Sequence, residues 1–278
     1  MKWLTAFCLM LGVASSAFAE GHGPLFGLAT PTLGDGQWSS DTGLMRMESD
    51  LGGRWRGREM IGYGVTEDLQ LTLTVPLDSR NNRMMANTRS GAMMGEAGAI
   101  EVSALWRFHR EAPGIGARRE SSLLVGLADA GTFGPDGQFD SGASLHLAAV
   151  TGYASRTTYW WLGGGSQWRQ AGEGTRRGTL SYATAVFGWR PPVFRGDYPK
   201  PDWRLFLEMM AEQAERDRVN GISIPHSGGK RLLAGPSVLG LMGRWGVSAG
   251  VLLPIAEQLN GQQPNTEYRA KLVFTYWI

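Results

Sequence analysis

Asn265 to Ile278 closes the chain and reads NTEYRAKLVFTYWI. Two residue sets alternate along it. Tyr268, Ala270, Leu272, Phe274, Tyr276 and Ile278 point one way, and all are apolar or aromatic. Glu267, Arg269, Lys271, Val273, Thr275 and Trp277 point the other way, and every charge is among them. Successive side chains of a strand face opposite sides of its sheet, so one face of this strand needs an apolar medium while the other accepts water. A soluble edge strand also reads this way. A last strand rich in aromatics, in a chain that opens with a secretion leader, fits better with an all-β fold, an antiparallel transmembrane β-barrel.

The leader is Met1 to Ala19. Lys2 supplies the basic start, Leu4 to Val13 a short apolar run, and Ala17-Phe18-Ala19 the small-x-small cleavage site. The run is shorter than the roughly 20 residues of a spanning helix. The single cysteine, Cys8, sits inside it, so a chain cleaved after Ala19 has no disulfide, thiolate metal site or cysteine nucleophile. Cleavage removes Lys2 from 27 basic residues and leaves the 25 acidic ones, a near balance that excludes a dedicated nucleic-acid binder. The 40 glycines and 11 tryptophans, with few long helix-forming runs, favour many short strands. The length fits one barrel from Gln37 to Ile278. Ahead of it, Glu20 to Gly36 is rich in Gly and Pro and lacks a strand pattern; it either lies in the periplasm or enters the barrel as a plug.

Alternation predicts twelve strands. In the first, Trp38 to Glu48, Met45 and Met47 are expected outward and Thr42, Leu44, Arg46 and Glu48 inward. The second, Arg54 to Val65, turns Ile61, Tyr63 and Val65 outward. The third is the clearest, with Leu69, Leu71, Leu73, Val75 and Leu77 against Gln70, Thr72 and Thr74. The fourth sets Ile100, Val102, Ala104, Trp106 and Phe108 against Glu101, Ser103 and Arg107. Ser121 to Ala130 and Gly142 to Gly152 follow, with His146 inward. Thr157 to Gln167 and Gly178 to Trp189 are aromatic or small on both faces, so their sides stay open. Trp203 to Glu212 is sharp again, with Arg204, Glu208 and Glu212 inward. Lys230 to Leu239 contains Pro236, which belongs at an edge or a bulge. Trp245 to Leu253 and the closing strand complete the set.

An even strand number puts both termini on one side, the periplasm, and leaves no edge unpaired in the membrane. Long connections, 78–97, 132–140, 215–229 and 254–264, then fall outside; those at Thr66, Thr151 and Met242 are short. Two periplasmic connections, 110–120 and 191–201, are longer than this rule prefers. Trp38, Trp106, Phe108, Trp189, Trp203, Trp245 and Tyr276 lie near strand ends, where aromatic girdles belong. A secreted β-sandwich shares the alternation, but not inward charges opposite a purely apolar face.

Catalytic spacings are missing: there is no GxSxG, HExxH or GxxxxGK[ST]. His226 and Ser227 are adjacent in sequence, which does not make a base and nucleophile pair. An enzyme is not expected, nor a cofactor. Arg46, Glu101, Arg107, Arg204, Glu208, Glu212, Glu267, Arg269 and Lys271 are expected to line the lumen, either as a salt-bridged filling or as a polar path. Met84, Met85, Met93 and Met94, in the loop after the third strand, are soft thioether ligands suited to Cu(I), or else they pack that loop on the barrel mouth. Glu212, Glu215, Arg216, Asp217 and Arg218 read as a solvated rim near lipid headgroups.

Five stretches carry a family resemblance: GPLFGLATPTLGDGQWSSD (Gly23 to Asp41), YGVTEDLQLTLTVPL (Tyr63 to Leu77), PDWRLFLEM (Pro201 to Met209), the ERDRVNG…SGG run (Glu215 to Gly229) and the GVLLP…LNG…YR run (Gly250 to Arg269). Together they resemble the outer-membrane transporters grouped as "MetA-pathway of phenol degradation". The resemblance spans nearly the whole mature chain, but through strand and turn patterns and not through a catalytic fingerprint. It implies an outer-membrane barrel acting as a passive channel, with a hint of aromatic or hydrophobic cargo. Some members accompany metal-resistance systems, which makes a copper-binding barrel the alternative; a closed structural barrel is a third. Such barrels usually end in Phe or Trp, and here Ile278 follows Trp277. The expected partners are outer-membrane lipid and lipopolysaccharide, the barrel assembly machinery acting on the C-terminal strand, and a small solute, with no nucleic acid.

Overall fold

The computed structural model describes residues 23–77, 100–129, 141–172, 174–196 and 200–278. In chain order the strands are β1 (Trp38–Ser49), β2 (Gly52–Thr66), β3 (Leu69–Pro76), β4 (Ile100–Gly114), β5 (Ala117–Asp129), β6 (Ser141–Ala154), β7 (Thr158–Ala171) and β8 (Thr175–Arg176). They continue with β9 (Leu180–Trp189), β10 (Asp202–Ala214), β11 (Arg218–Val219), β12 (Ile222–Ser223), β13 (Gly229–Met242), β14 (Trp245–Leu259) and β15 (Thr266–Trp277). Twelve of these close into an antiparallel barrel in the order β1-β15-β14-β13-β10-β9-β7-β6-β5-β4-β3-β2, and β12, β11 and β8 form a separate small sheet. Closure pairs the last strand with the first, Ser39 opposite Trp277 through Glu48 opposite Tyr268, so no edge remains.

Period two decides which side chains meet lipid. Leu71, Leu73, Val102, Leu123, Val125, Leu145, Leu147, Leu205, Leu207, Leu272 and Phe274 stand exposed on the outer surface, which is the surface a hydrocarbon solvent would cover. Outward aromatics pair along the rim where β1 begins and β15 ends: Trp38 with Tyr63 at 4.6 Å, Trp106 with Phe108 at 5.9 Å, and Trp245 with Tyr276 at 4.2 Å between ring centroids. That belt marks one membrane interface.

Three local expectations are corrected. β1 has the opposite facing: Met47 is 7% exposed and lies inside, whereas Leu44 is 46% exposed and lies outside, with Arg46 on the same outer face. The cause is its pairing, because Leu44 sits opposite Leu272 and Arg46 opposite Ala270, both outward on β15. The periplasmic stretch 110–120 is not an open connection. β4 and β5 stay paired past the rim, with Arg110 opposite Glu120 and Glu111 opposite Arg119, and turn at Gly114 and Ala117. Pro236 is at neither an edge nor a strand end. It lies inside β13 opposite Leu207, and the ladder to β14 skips Gly235 and Pro236, so the missing N–H costs no hydrogen bond there.

The two strands whose sides stayed open are also settled. Tyr159 and Trp161 of β7 and Tyr182 and Val186 of β9 are buried inside, while Trp160, Leu162 and Phe187 face out. The facing of β1 gives a direct test. Leu44→Arg should destabilise the barrel by about 2–4 kcal/mol in denaturant titrations in lipid vesicles, the range for an arginine on the lipid face. Met45→Glu, which points inward on a strand whose neighbours there are Arg56 and Lys271, should cost clearly less.

Candidate functional site

The lumen is occupied by backbone. Residues 23–36 form no regular secondary structure, yet Leu25, Phe26, Leu28, Thr30, Thr32 and Leu33 are buried. A buried amide without a partner costs about 1–3 kcal/mol, so each polar group of such a segment needs an answer from the barrel wall. Glu208, inward on β10 and 1% exposed, supplies the largest share. Its Oε1 accepts the Leu25 N–H at 2.8 Å, and its Oε2 accepts those of Phe26 and Gly27 at 2.7 Å each. The Ser237 hydroxyl donates to the same carboxylate. From the opposite wall, Lys271 Nζ donates to the Leu25 carbonyl at 2.7 Å and lies 5.9 Å from the Phe26 ring centroid.

Further along the segment, Leu28 N–H donates to Thr184 Oγ1 at 3.3 Å, and Thr30 Oγ1 donates to Glu120 Oε2 at 3.1 Å. Thr30 also receives Trp161 Nε1–H on its hydroxyl and Ser122 Oγ–H on its carbonyl. Leu33 N–H donates to Gln70 Oε1 at 2.9 Å, and Gly36 N–H to the Gly64 carbonyl at 2.9 Å. The contact at the rim is tight, since a Cβ on Gly64 would collide with the Gly34 carbonyl oxygen. On its apolar side the segment packs Leu25, Phe26 and Leu28 against Leu124, Val150, Trp161, Val186, Phe206 and Leu252.

Ion pairs fill the lumen in two layers, one towards the loop end and one beside the segment at the other end. Towards the loop end, Arg269 makes a bidentate pair with Glu212 at 2.7 Å per bond, and Arg231 meets Glu257 at 2.9 Å. Towards the end with the termini, Arg107 reaches Glu120 at 3.1 Å and Asp68 at 2.9 Å, and Arg190 reaches Asp202 at 2.6 Å. Between these layers a cavity of about 240 Å³ remains. Phe26, Leu28 and Pro31 of the segment wall one side. Asp41, Arg58, Glu101, Arg269 and Lys271, with Ser39, Thr72, Thr74 and Ser103, wall the other, together with Met45, Met47 and Met60.

The nine residues expected to line the lumen are thus spread over several settings. Glu101, Arg269 and Lys271 line the cavity, Glu208 holds the segment, Glu212 pairs with Arg269, and Arg107 sits in the lower ion-pair layer. Arg204 also belongs to the lower layer, 3.6 Å from Asp202 and over the Tyr159 ring. Two lie elsewhere. Arg46 faces out, bonded to Glu48 at 2.7 Å and stacked on Trp55, as the corrected β1 facing requires. Glu267 is exposed at the loop-end start of β15, before the strand enters the lumen. Met84, Met85, Met93 and Met94 fall outside the described residues. Asp41 was missed, for the same reason that Arg46 was misplaced. Two described histidines have polar partners. His146 Nε2 lies 2.6 Å from Tyr182 Oη with Nδ1 4.0 Å from Glu101, and His226 Nδ1 accepts Gln262 N–H. No serine hydroxyl is bonded to a histidine among the described residues.

The barrel matches the COG4313 outer membrane channel from Pseudomonas putida F1 with a TM-score of 0.64 at 10% identity, over 92% of this chain and 100% of that one. Its fold is the fold of a known outer-membrane channel. LpxR from Salmonella typhimurium aligns more loosely, with a TM-score of 0.40 at 7% identity over 86% of this chain and 99% of that one. The CymD monoaromatic hydrocarbon channel is looser still, at 0.33 and 9% identity over 88% of each chain, and neither overlay bears on activity or cargo. No protein-family profile and no curated protein matches the sequence. The twelve-stranded antiparallel barrel that alternation predicts, and that the family resemblance fits, is the fold observed.

Glu208 makes the segment's docking testable on its own. In Glu208→Ala the amides of Leu25, Phe26 and Gly27 lose their acceptor at about 1–3 kcal/mol each. Their hydrogen exchange should accelerate by about 100-fold or more, while amides of β10 and β13 keep their protection.

Proposed function

We propose that the protein is a passive outer-membrane channel for a small solute, with residues 23–36 as its constriction. The observation that carries this reading is that the segment fills only part of the lumen's width. Its apolar side chains pack on the β5 to β10 wall, and the 240 Å³ cavity left beside it is lined mostly from β1 to β4 and β15. That space is roughly eight waters' worth of liquid, enough for one small organic molecule. Its two faces differ, apolar on the segment and mixed on the barrel, where charged and hydroxyl groups stand beside Met45, Met47 and Met60, which suits a solute with an aromatic or aliphatic body and one or two polar groups. Asp41, Arg58, Glu101 and Lys271 give the polar face mixed charge, so neither sign of ion is favoured strongly. In assembly, the alternating aromatic strand β15 would be what the barrel assembly machinery engages.

Planar-bilayer recording tests the proposal. The refolded wild type should show a small, steady conductance, and deletion of residues 23–33 should raise it several-fold, since the segment's backbone then leaves the lumen. Barrels of both forms that migrate as folded and carry no current would defeat the channel reading and leave a closed, ion-paired barrel in its place.

A further inference from the structure

The loop end carries a cationic face that conduction does not use. β11 and β12 form a hairpin whose turn residues, Asn220 and Gly221, both have positive φ, 49° and 80°. Asn-Gly is the preferred pair for such a two-residue turn. β8 adds to this hairpin with Arg176 directly opposite Arg218. The sheet is pinned from beneath. Buried Asp217 accepts the Gly178 N–H at 2.8 Å, and its own N–H donates to Ser227 Oγ at 2.9 Å. Ser227, 0% exposed, donates in turn to the Ile224 carbonyl, and Asn220 N–H donates to the Gly174 carbonyl at 2.6 Å.

With Asp217 directed inward, its neighbours Arg216 and Arg218 are both exposed. Arg176 joins Arg218 across the ladder, and one carboxylate, Glu215, comes within 3.9 Å of Arg176. Among the described residues, the guanidinium groups of Arg216 and Arg218 have neither a hydrogen bond nor an ion pair. Like charges placed directly opposite in an antiparallel pair repel and destabilise it, yet here a fixed backbone holds them together. A multiply charged anion removes that penalty, and the planar forks of arginine match phosphate oxygens two at a time. On the adjoining barrel wall Lys230 is exposed, and Trp168, 44% exposed, faces out. A phosphorylated headgroup with acyl chains therefore fits both parts of the surface.

We propose that Arg176, Arg216 and Arg218 form a docking face for the phosphate groups of lipopolysaccharide in the leaflet around the loop end. None of the three lines the luminal cavity, so the proposal does not depend on whether the barrel conducts. The test is titration of the purified, folded barrel in detergent with bis-phosphorylated lipid A and with fully dephosphorylated lipid A. The wild type should prefer the phosphorylated form by about tenfold or more, and a variant combining Arg176→Ser, Arg216→Ser and Arg218→Ser should lose that preference. All three side chains are at least partly exposed, so the variant should fold, which heat-modifiable migration checks. A triple Lys variant, keeping charge but not the fork, should fall between the two. Equal binding of the two lipids by wild type, or an undiminished preference in the serine variant, would overturn the proposal. So would competition by inorganic phosphate alone at comparable affinity, which would make this a free-anion site.

Discussion

A carboxylate inside a membrane barrel and an irregular backbone inside the same lumen are each costly alone. The first needs donors around its charge, and the second has amides with no ladder to join. Glu208 and Leu25-Phe26-Gly27 solve both problems at once. Three consecutive N–H groups and the Ser237 hydroxyl surround one carboxylate, and hydrogen bonds to a charged group are the stronger kind, about 1.5–3 kcal/mol each. Lys271 completes the arrangement by holding the Leu25 carbonyl from across the lumen. Removing either partner leaves the other buried and unsatisfied, so segment and wall are specified together.

The rest of the lumen follows from where that contact lies. Phe26 and Leu28 need an apolar wall, and Val150, Trp161, Val186 and Phe206 provide it on the β6 to β10 side. The opposite wall, from β1 to β4 with β15, meets the segment only at a few polar contacts such as Lys271 to Leu25 and Gln70 to Leu33, so most of its other polar side chains border open space. Towards the loop end Arg269 with Glu212 takes up the width of the barrel, and towards the other end Arg107 with Glu120 does so beside the segment's Thr30. Paired ions of this kind fix shape more than they stabilise, because desolvation cancels much of their attraction.

How much of this was legible depended on whether side chains carried the signal. β3 and β15 were plain, since strict alternation of Leu or aromatic residues with Thr, Arg or Lys allows one facing only. β1 misled, because Met45, Met47 and Leu44 are equally apolar while its outward set holds Thr42, Arg46 and Glu48. Its facing comes from pairing with β15, a long-range fact that local alternation does not contain. Arg46 was misassigned with it, and Asp41 was missed. β7 was open because Tyr159, Trp160 and Trp161 are all aromatic, and the inward pair is chosen by Phe206 and the segment. Glu208 could be read as an inward carboxylate. Its role could not, because its partners are main-chain amides, and amides leave no mark in a sequence.

That difference also separates what can move from what cannot. The ion pairs join side chains rooted in strands whose backbones are locked into a closed ladder, so rearranging them means disturbing the barrel itself. The segment is joined to the wall through individual hydrogen bonds along one short stretch, and no strand depends on it for pairing. Its release would expose the Glu208 carboxylate to a wet lumen, where water can replace the lost donors and lower the cost. A constriction made of backbone, held by side chains of the wall with Glu208 and Lys271 foremost, is therefore the part of this lumen whose position a solute or a change in ionic conditions can alter without unfolding the barrel.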